Sequence, residues 1–563
     1  MLEKDLLIRN GTIIDGTGRP GYKADLLIRD GRIVDIGRGL NPLETELIDA
    51  TGALVTPGFI DSHTHFDPSL FWDPLVEMAQ HGVTTVLIGN CSLGLAPLHK
   101  ADVAGTSDLF AFIEDVPREI FSKLVSWDWE TYPEYVTAMR RRPYAANVAA
   151  LVSHSMLRQY VMGAAAWERE STCEEISRIA DELEIALQAG ALGMSSSFFD
   201  RDSLGRPVPS YYGDDAEYDR LFSVLGKHGA LFQVIPRHSE GTELVCQDLE
   251  RMGKFSSQYG VPMISNGIGD MPSQPESAPA LLACARRINA NGGRLLHLLS
   301  PRSVELLINP DQTMTFLMMP VWNGLIQADR PAKRGMLTDT SWRERARTEW
   351  DTVKSFLFPT DNLERIRIVA VGKTSNEPWV GRSLAELVAA RGGHPADVFA
   401  EWLLENNFEA RFVVPMNNFD PVKVGELARQ PEVLLSASDA GAHFQMFCGV
   451  GDTTLVLTRH VRDRPDLTLE NAVHKLTGEQ ATLLGLADRG VIRPGARADL
   501  AIFALDELEW KQEVMMRDLP GDMPRFSRPP GGFRFTLVNG IVVQQSGRDT
   551  GARPAEFFGS AHA

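Results

Sequence analysis

Two histidines one residue apart, His63 and His65, sit in the stretch 57-PGFIDSHTHFD-67. Residues two apart on an extended strand point to the same side. Both imidazoles can therefore face one ion from a single strand end, and imidazole suits zinc and neighbouring first-row metals. Two histidines on one face can also be plain surface residues. The context favours a metal. An apolar run, 53-ALVTPGFI-60, feeds the pair, Pro57-Gly58 precedes it, and Asp61 and Asp67 flank it, with Asp67 placed to support the histidines from behind. Arg237 and Arg158 are candidates for gripping a substrate carboxylate, because a guanidinium binds one through two parallel hydrogen bonds. Ordinary ion pairs are the alternative for both, and the preferred one for Arg158. Ser195, Ser196 and Ser197 lie in no G-x-S-x-G elbow, which argues against a serine nucleophile. The glycine spacings do not follow a dinucleotide-binding strand–turn–helix pattern.

The elements that must position these residues alternate between apolar strands and amphipathic helices. Candidate strands are 53-ALVTPGFID-61, 83-VTTVLIG-89, 147-NVAALVSH-154, 191-ALGMSSS-197, 230-ALFQVIPRH-238, 261-VPMISNG-267, 293-GRLLHLL-299 and 433-VLLSASD-439. Helical stretches such as 174-EEISRIADELEIALQAG-190 and 277-SAPALLACARRINANGG-293 lie between them. Such alternation means parallel βα units. Eight of them fit a (β/α)8 barrel over residues 56–484, with its chemistry at the C-terminal strand ends. Segments 97–146 and 300–360 exceed a minimal barrel and read as insertions. Their tryptophans (Trp127, Trp129, Trp322, Trp342 and Trp350) are expected at the barrel mouth, as an apolar wall for an acyl or aromatic group.

Residues 1–55 and 485–563 share a different texture: short strands broken by Asn10-Gly11, Asp30-Gly31 and Asn539-Gly540, the dipeptides of tight hairpins. One small β-domain built from both chain ends is the expectation, with two separate β-appendages as the alternative. At 563 residues, a barrel plus this satellite accounts for the length.

Composition narrows the function classes. The chain is 44% hydrophobic and 23% charged, as in soluble globular proteins. No stretch approaches the roughly 20 apolar residues that span a bilayer, and the start lacks signal-peptide features. A cytoplasmic protein with no membrane contact is expected. A formal net charge of −18 argues against nucleic acid as a partner. A homo-oligomer is compatible with the sequence. The five cysteines, Cys91, Cys173, Cys246, Cys284 and Cys448, are odd in number and widely spaced. They form no disulfide framework, so a special one is a ligand or a nucleophile.

The stretch VTPGFIDSHTHFD resembles the first-strand motif of the amidohydrolase superfamily. More narrowly, 81-HGVTTVLIGNCSLGLAP-97, 126-SWDWETYPEY-135, 152-VSHSMLRQYVMG-163, 191-ALGMSSSFFDRDSLGRPVP-209 and 438-SDAGAH-443 resemble a long-chain group of its D-aminoacylase branch, the N-acyl-D-amino-acid deacylases. The resemblance spans nearly the whole chain. It implies a (β/α)8 barrel, one or two divalent metals (usually zinc) and hydrolysis of a small amide by metal-activated water. By position, it implies that His63, His65 and Asp439 are metal ligands. Cys91 stands where many relatives carry a carboxylated lysine, and Asp439 is also the proton shuttle.

The residues agree with these roles. A thiolate is a good zinc ligand, and Cys91 follows an apolar strand and Gly89-Asn90; a buried core cysteine is its other reading. A carboxylate at Asp439, after VLLSAS, can position water and move its proton; a helix cap is its other reading. His154 closes the third strand and either meets substrate or is structural. His443, four residues beyond Asp439, reaches the mouth as a substrate or metal contact.

Two positions depart from the pattern. Pro236 and Asn266 stand where the branch has histidines on strands 5 and 6. Three outcomes stay open: a single metal on His63, His65 and Asp439 with Cys91 near it; a site completed by His238, itself otherwise a substrate contact; or a metal-free, non-catalytic relative. A lactone, ester or cyclic amide hydrolase on the same scaffold is a further alternative, because the metal chemistry is shared.

Overall fold

The computed structural model describes residues 5–42, 45–238, 241–311, 313–355, 357–519 and 521–559. At its centre eight short strands run in chain order around a ring: β1 (Phe59–Asp61), β2 (Val83–Ile88), β3 (Asn147–Ala150), β4 (Gly193–Ser197), β5 (Leu231–Ile235), β6 (Pro262–Ser265), β7 (Arg294–Leu299) and β8 (Val433–Leu435). Ladders are parallel from β1 to β3 and from β4 to β8. The third strand breaks at Leu151, and its continuation, Val152–Ser153, pairs with β4. The ring closes just beyond β8 and β1. There Ser62 N donates to Ser436 Oγ at 2.7 Å, Asp439 N to His63 O at 3.1 Å and His65 N to Ala440 O at 2.8 Å. The seam of the barrel therefore runs through the histidine pair itself.

Helices return the chain between strands. Cys173–Ala189 shows why they form. Its buried residues Ile176, Ile179, Ala180, Leu183, Ala186 and Leu187 follow helical spacing and make one apolar stripe. Thr172 and Glu175 form a capping box at its start, and Gly190, in the left-handed conformation at φ 116°, ends it. The strands beneath are covered on both faces, so β2 is buried at every position.

Strands from both chain ends form one sheet, with Leu500–Phe503 antiparallel to Leu54–Pro57 at the junction. Ile8, Leu26, Val55, Leu500 and Leu537 share its core. Two local expectations are corrected here. The run 53-ALVTPGFID-61 is two strands, Leu54–Pro57 in this sheet and β1 in the barrel. The chain turns at Gly58, where an added Cβ would lie 2.1 Å from Thr84 Oγ1. Asn10-Gly11 is no hairpin turn but an irregularity inside the strand Leu6–Ile13. Asn10 N donates to Asp25 Oδ1, and Gly11 has no room for a side chain beside Val55. Asp30-Gly31 does turn a hairpin, between Tyr22–Arg29 and Arg32–Gly37.

The second excursion continues to residue 417, past the expected 360. Its strands Val304–Ile308, Arg367–Ala370 and Arg411–Asn417 make a separate antiparallel sheet. Trp322, Trp342 and Trp350 do not face the barrel mouth. They pack with Phe358 and Phe399 in a core of this excursion's own, with Trp322 centred 5.2 Å from Trp342. Trp129 is likewise occupied, donating to Leu95 O at 2.7 Å, and Trp127 donates to Phe121 O at 3.0 Å. Among the described residues no helix is long and apolar enough to cross a membrane.

Candidate metal centre

A cavity of about 350 Å³ opens at the C-terminal strand ends. His63 and His65 reach it from beyond β1, Cys91 from beyond β2, Asn266 from beyond β6, and Asp439 and His443 from beyond β8. His63 Nε2 lies 3.4 Å from Cys91 Sγ and 3.5 Å from Asp439 Oδ1, and His65 Nε2 lies 3.4 Å from the same oxygen. Donor atoms of His63, His65 and Cys91 all fall within 4.8 Å of one another. The structure thus brings His63, His65 and Cys91 to one point, with Asp439 against both histidines.

The backbone holds this arrangement under strain. Cys91, Asp439 and His443 all have positive φ, at 60°, 58° and 50°. Each such non-glycine conformation costs on the order of 1–3 kcal/mol and persists where its surroundings over-determine it. Here they do. Cys91 N donates to Gln233 Oε1 at 2.8 Å. Asp67 accepts from Gly89 N at 3.3 Å, so it braces the β2 turn and not the histidines. Ser195 Oγ donates to Gly89 O at 2.6 Å and Ser197 Oγ to Asp200 Oδ2 at 2.6 Å, which spends the serine cluster on structure.

The electrostatics call for a cation. Burial, together with Asp200, Glu114, Asp439 and Asp67, pushes the Cys91 thiol well above its ordinary range. Burial, and then the Asp439 charge, raises Glu114 in the same way. Burial lowers His65 to about 3. Against burial, the bond from His63 and the charges of His65 and His443 hold the Asp439 carboxyl below the usual carboxylate range. A thiol, two imidazoles and a carboxylate, ringed by further carboxylates, fit a divalent zinc-like ion, which would reverse the penalty on the thiolate.

Other candidates land elsewhere. His238 lines the cavity with its Nε2 bonded to Asn266 O at 2.6 Å, and it is not among the donors that converge with His63, His65 and Cys91. Burial lowers its pKa. Asn266 Nδ2 sits 3.4 Å from both His63 Nε2 and Cys91 Sγ. Ser239 and Glu240, which set the register for Pro236, lie outside the described residues. Arg237 is held by Asp248, with Nη2 to Oδ1 at 2.6 Å, and does not line the cavity. His154 is also absent from the wall: its Nε2 meets Glu217 Oε1 at 2.5 Å, and the same carboxylate takes Arg158. Both readings as substrate contacts give way to charge pairs, half-buried at Arg237 and fully buried at His154.

Two wall residues were not singled out in the sequence. Arg302, buried, stacks over Phe447 with its guanidinium 4.5 Å from the ring centre and donates to Ser438 O at 2.8 Å. Glu114, from the β2–β3 excursion, lies 3.5 Å from both His65 Nδ1 and His443 Nε2. Neither sits in a recognisable motif; only the carboxylate pair Glu114-Asp115 ending an apolar helix gave a signal. The apolar part of the wall is aliphatic and sulfur-rich, with Ile113, Ile268, Leu298, Met314, Leu357 and Met416 in place of the expected tryptophans, and Asp200, Gln274, Asn417 and Asn418 add polar groups to it.

Known proteins of this architecture are similar along the full length. The family model described as "Amidohydrolase family" matches residues 46–261 and 363–544, and that of the urease alpha-subunit N-terminal domain matches residues 2–57. An uncharacterized protein of Mycobacterium tuberculosis is 33% identical over 97% of this chain and 92% of its own. The D-aminoacylase of Alcaligenes xylosoxydans xylosoxydans is 29% identical over 97% of this chain and 96% of its own. Its N-acyl-D-glutamate deacylase is 30% identical over 96% and 94%. Among solved structures, the N-acyl-D-glutamate deacylase of Bordetella bronchiseptica, complexed with zinc and a phosphonate inhibitor, superposes with a TM-score of 0.68 at 26% identity, covering 99% of this chain and 100% of that one. A D-aminoacylase described by its binuclear metal centre, with one-metal activation and second-metal attenuation, gives 0.66 at 26% identity, covering 99% of both chains.

Proposed function

This chain belongs to the amidohydrolase family, in its D-aminoacylase branch, and from that premise we propose that it hydrolyses the amide bond of a small N-acyl amino acid at a single metal held by His63, His65 and Asp439, with Cys91 beside them. The observation that carries this reading is the convergence of two imidazoles on one oxygen of Asp439, with the Cys91 thiol against the same His63 Nε2. Zinc is the metal the donor set suits best. When bound, such an ion polarises the carbonyl and lowers the pKa of water.

The chain's own residues supply the remaining steps. Asp439, whose side chain is 29% exposed while His63 and His65 are 3% and 2%, is the acceptor that faces the cavity. Held ionised, it takes the proton of the attacking water and returns it to the leaving nitrogen. Arg302 lines the cavity where Arg237 does not and, with Nε 3.4 Å from Asp452 Oδ1 and Nη2 on Ser438 O, keeps Nη1 for a substrate carboxylate. The aliphatic part of the wall suits an apolar acyl or side-chain group. One metal fits better than two. Pro236 has no side-chain donor, Asn266 is a poor ligand, and His238 is turned to the Asn266 carbonyl.

A panel of N-acyl-D- and N-acyl-L-amino acids, lactones and cyclic amides, run on zinc-reconstituted protein, tests the reading. Release of free amino acid from the acylated substrates supports it. Turnover confined to lactones or cyclic amides replaces it with the other hydrolase reading.

A further inference from the structure

We propose that Glu114 is the positioning carboxylate of this centre: it holds His65 by Nδ1, so that Nε2 is presented to the metal, and holds His443 with its second oxygen. The inference rests on reading His63 and His65 as ligands.

Glu114 stands at the end of the helix Val103–Ile113, whose last turns, Leu109 to Ile113, are buried and apolar. This helix belongs to the excursion between β2 and β3, not to the barrel. It carries the carboxylate inward to 3% side-chain exposure. Burying a carboxylate without fixed partners is costly, yet Glu114 Oε2 and His65 Nδ1 are both buried and make no hydrogen bond. His65 Nδ1 faces Glu114, and Glu114 Oε2 faces His443. Oε1 is 3.5 Å from His65 Nδ1 and Oε2 is 3.5 Å from His443 Nε2. Each gap is about 0.5 Å beyond an ordinary N–H···O bond, a small ring rotation away.

The placement is fixed from two sides. His443 N donates to Glu114 O at 2.5 Å and Gln445 N to Asp115 Oδ2 at 3.3 Å, so the helix end is pinned to the loop after β8. An imidazole that binds a cation through Nε2 carries its proton on Nδ1, and the group facing Nδ1 sets the tautomer and the ring's orientation. For His65 that group is Glu114. The same residue ties the loop after β1 to the loop after β8, the two loops that supply His65 and Asp439.

Zinc affinity of the full-length protein, measured by competition with a chromogenic chelator, tests this alongside thermal unfolding of the metal-free chain. Glu114→Ala is expected to weaken zinc binding about 10- to 100-fold. Glu114→Gln, which keeps an acceptor but loses the charge, is expected to fall between Glu114→Ala and wild type while the metal-free chain melts at the wild-type temperature or above. Wild-type zinc affinity in a folded Glu114→Gln together with a lowered melting temperature assigns Glu114 a merely structural role and overturns the proposal. Wild-type protein that takes up no zinc, or a His63→Asn variant with unaltered affinity, overturns the metal reading and this inference with it.

Discussion

Replacing Asp439 by asparagine changes the charge of the centre while keeping its shape. Oδ1 lies 3.5 Å from His63 Nε2 and 3.4 Å from His65 Nε2, and Oδ2 lies 3.7 Å from His443 Nε2. An amide of the same size keeps a carbonyl oxygen near the imidazoles, while Cys91 and the two histidines still surround the ion. Metal content should therefore survive. The proton acceptor is lost. A positioned general base contributes about 10²- to 10⁴-fold, which at roughly 1.4 kcal/mol per decade is ~3–5 kcal/mol of barrier. We expect kcat to fall by about a thousandfold in a variant that still carries its metal, read by amine release and elemental analysis on the same preparation. Turnover within tenfold of wild type would remove Asp439 as the base. Loss of metal together with turnover would make it a ligand first.

Four further outcomes follow from the same geometry. Glu217→Ala leaves Arg158 buried without its partner, which should cost about 3–5 kcal/mol in denaturant unfolding and leave KM unchanged, since neither Glu217 nor His154 lines the cavity. Burial alone would raise Glu217, but the bond from His154 and the charges of His154 and Arg158 hold it at about 2 against an ordinary 4.5. Its contribution is thus full above pH 4.5 and is lost as pH falls through about 2, a dependence that Glu217→Gln should flatten. Arg302→Met should raise KM for carboxylate-bearing substrates by about tenfold or more, the loss of a charged hydrogen bond worth ~1.5–3 kcal/mol, and spare a carboxylate-free amide. Gly58→Ala drives a Cβ to within 2.1 Å of Thr84 Oγ1, inside a buried junction, and should destabilise the chain by about 1–3 kcal/mol in thermal unfolding.

The strands were legible because a parallel barrel buries both faces, and that leaves continuous apolar runs such as VTTVLI. The histidine pair stood out through its spacing together with the apolar strand and flanking acids around it, Cys91 and Asp439 through strand ends and family likeness. What local sequence could not show was who meets whom across the ring. Arg237 looked available until Asp248 took it, and His154 until Glu217 did. Both partners come from later helices, and no spacing rule connects them. The break at Gly58 was hidden because Leu54–Pro57 and β1 are equally apolar and differ only in which sheet they join. The tryptophans misled for a related reason: large aromatic rings mark burial but not which core receives them. Glu114 escaped notice because its meaning depends on a fold-back from the β2–β3 excursion onto loops from the two ends of the barrel.

The central claim is that one divalent metal sits on the histidine pair. Elemental analysis of the protein after chelation, zinc re-addition and gel filtration, in wild type and in a His63→Asn/His65→Asn variant, tests it most directly. The account predicts one zinc per chain with restored amide hydrolysis in wild type, and none in the variant. Two zinc ions per wild-type chain, zinc retained by the variant, or a wild-type chain that cannot be reconstituted would contradict it.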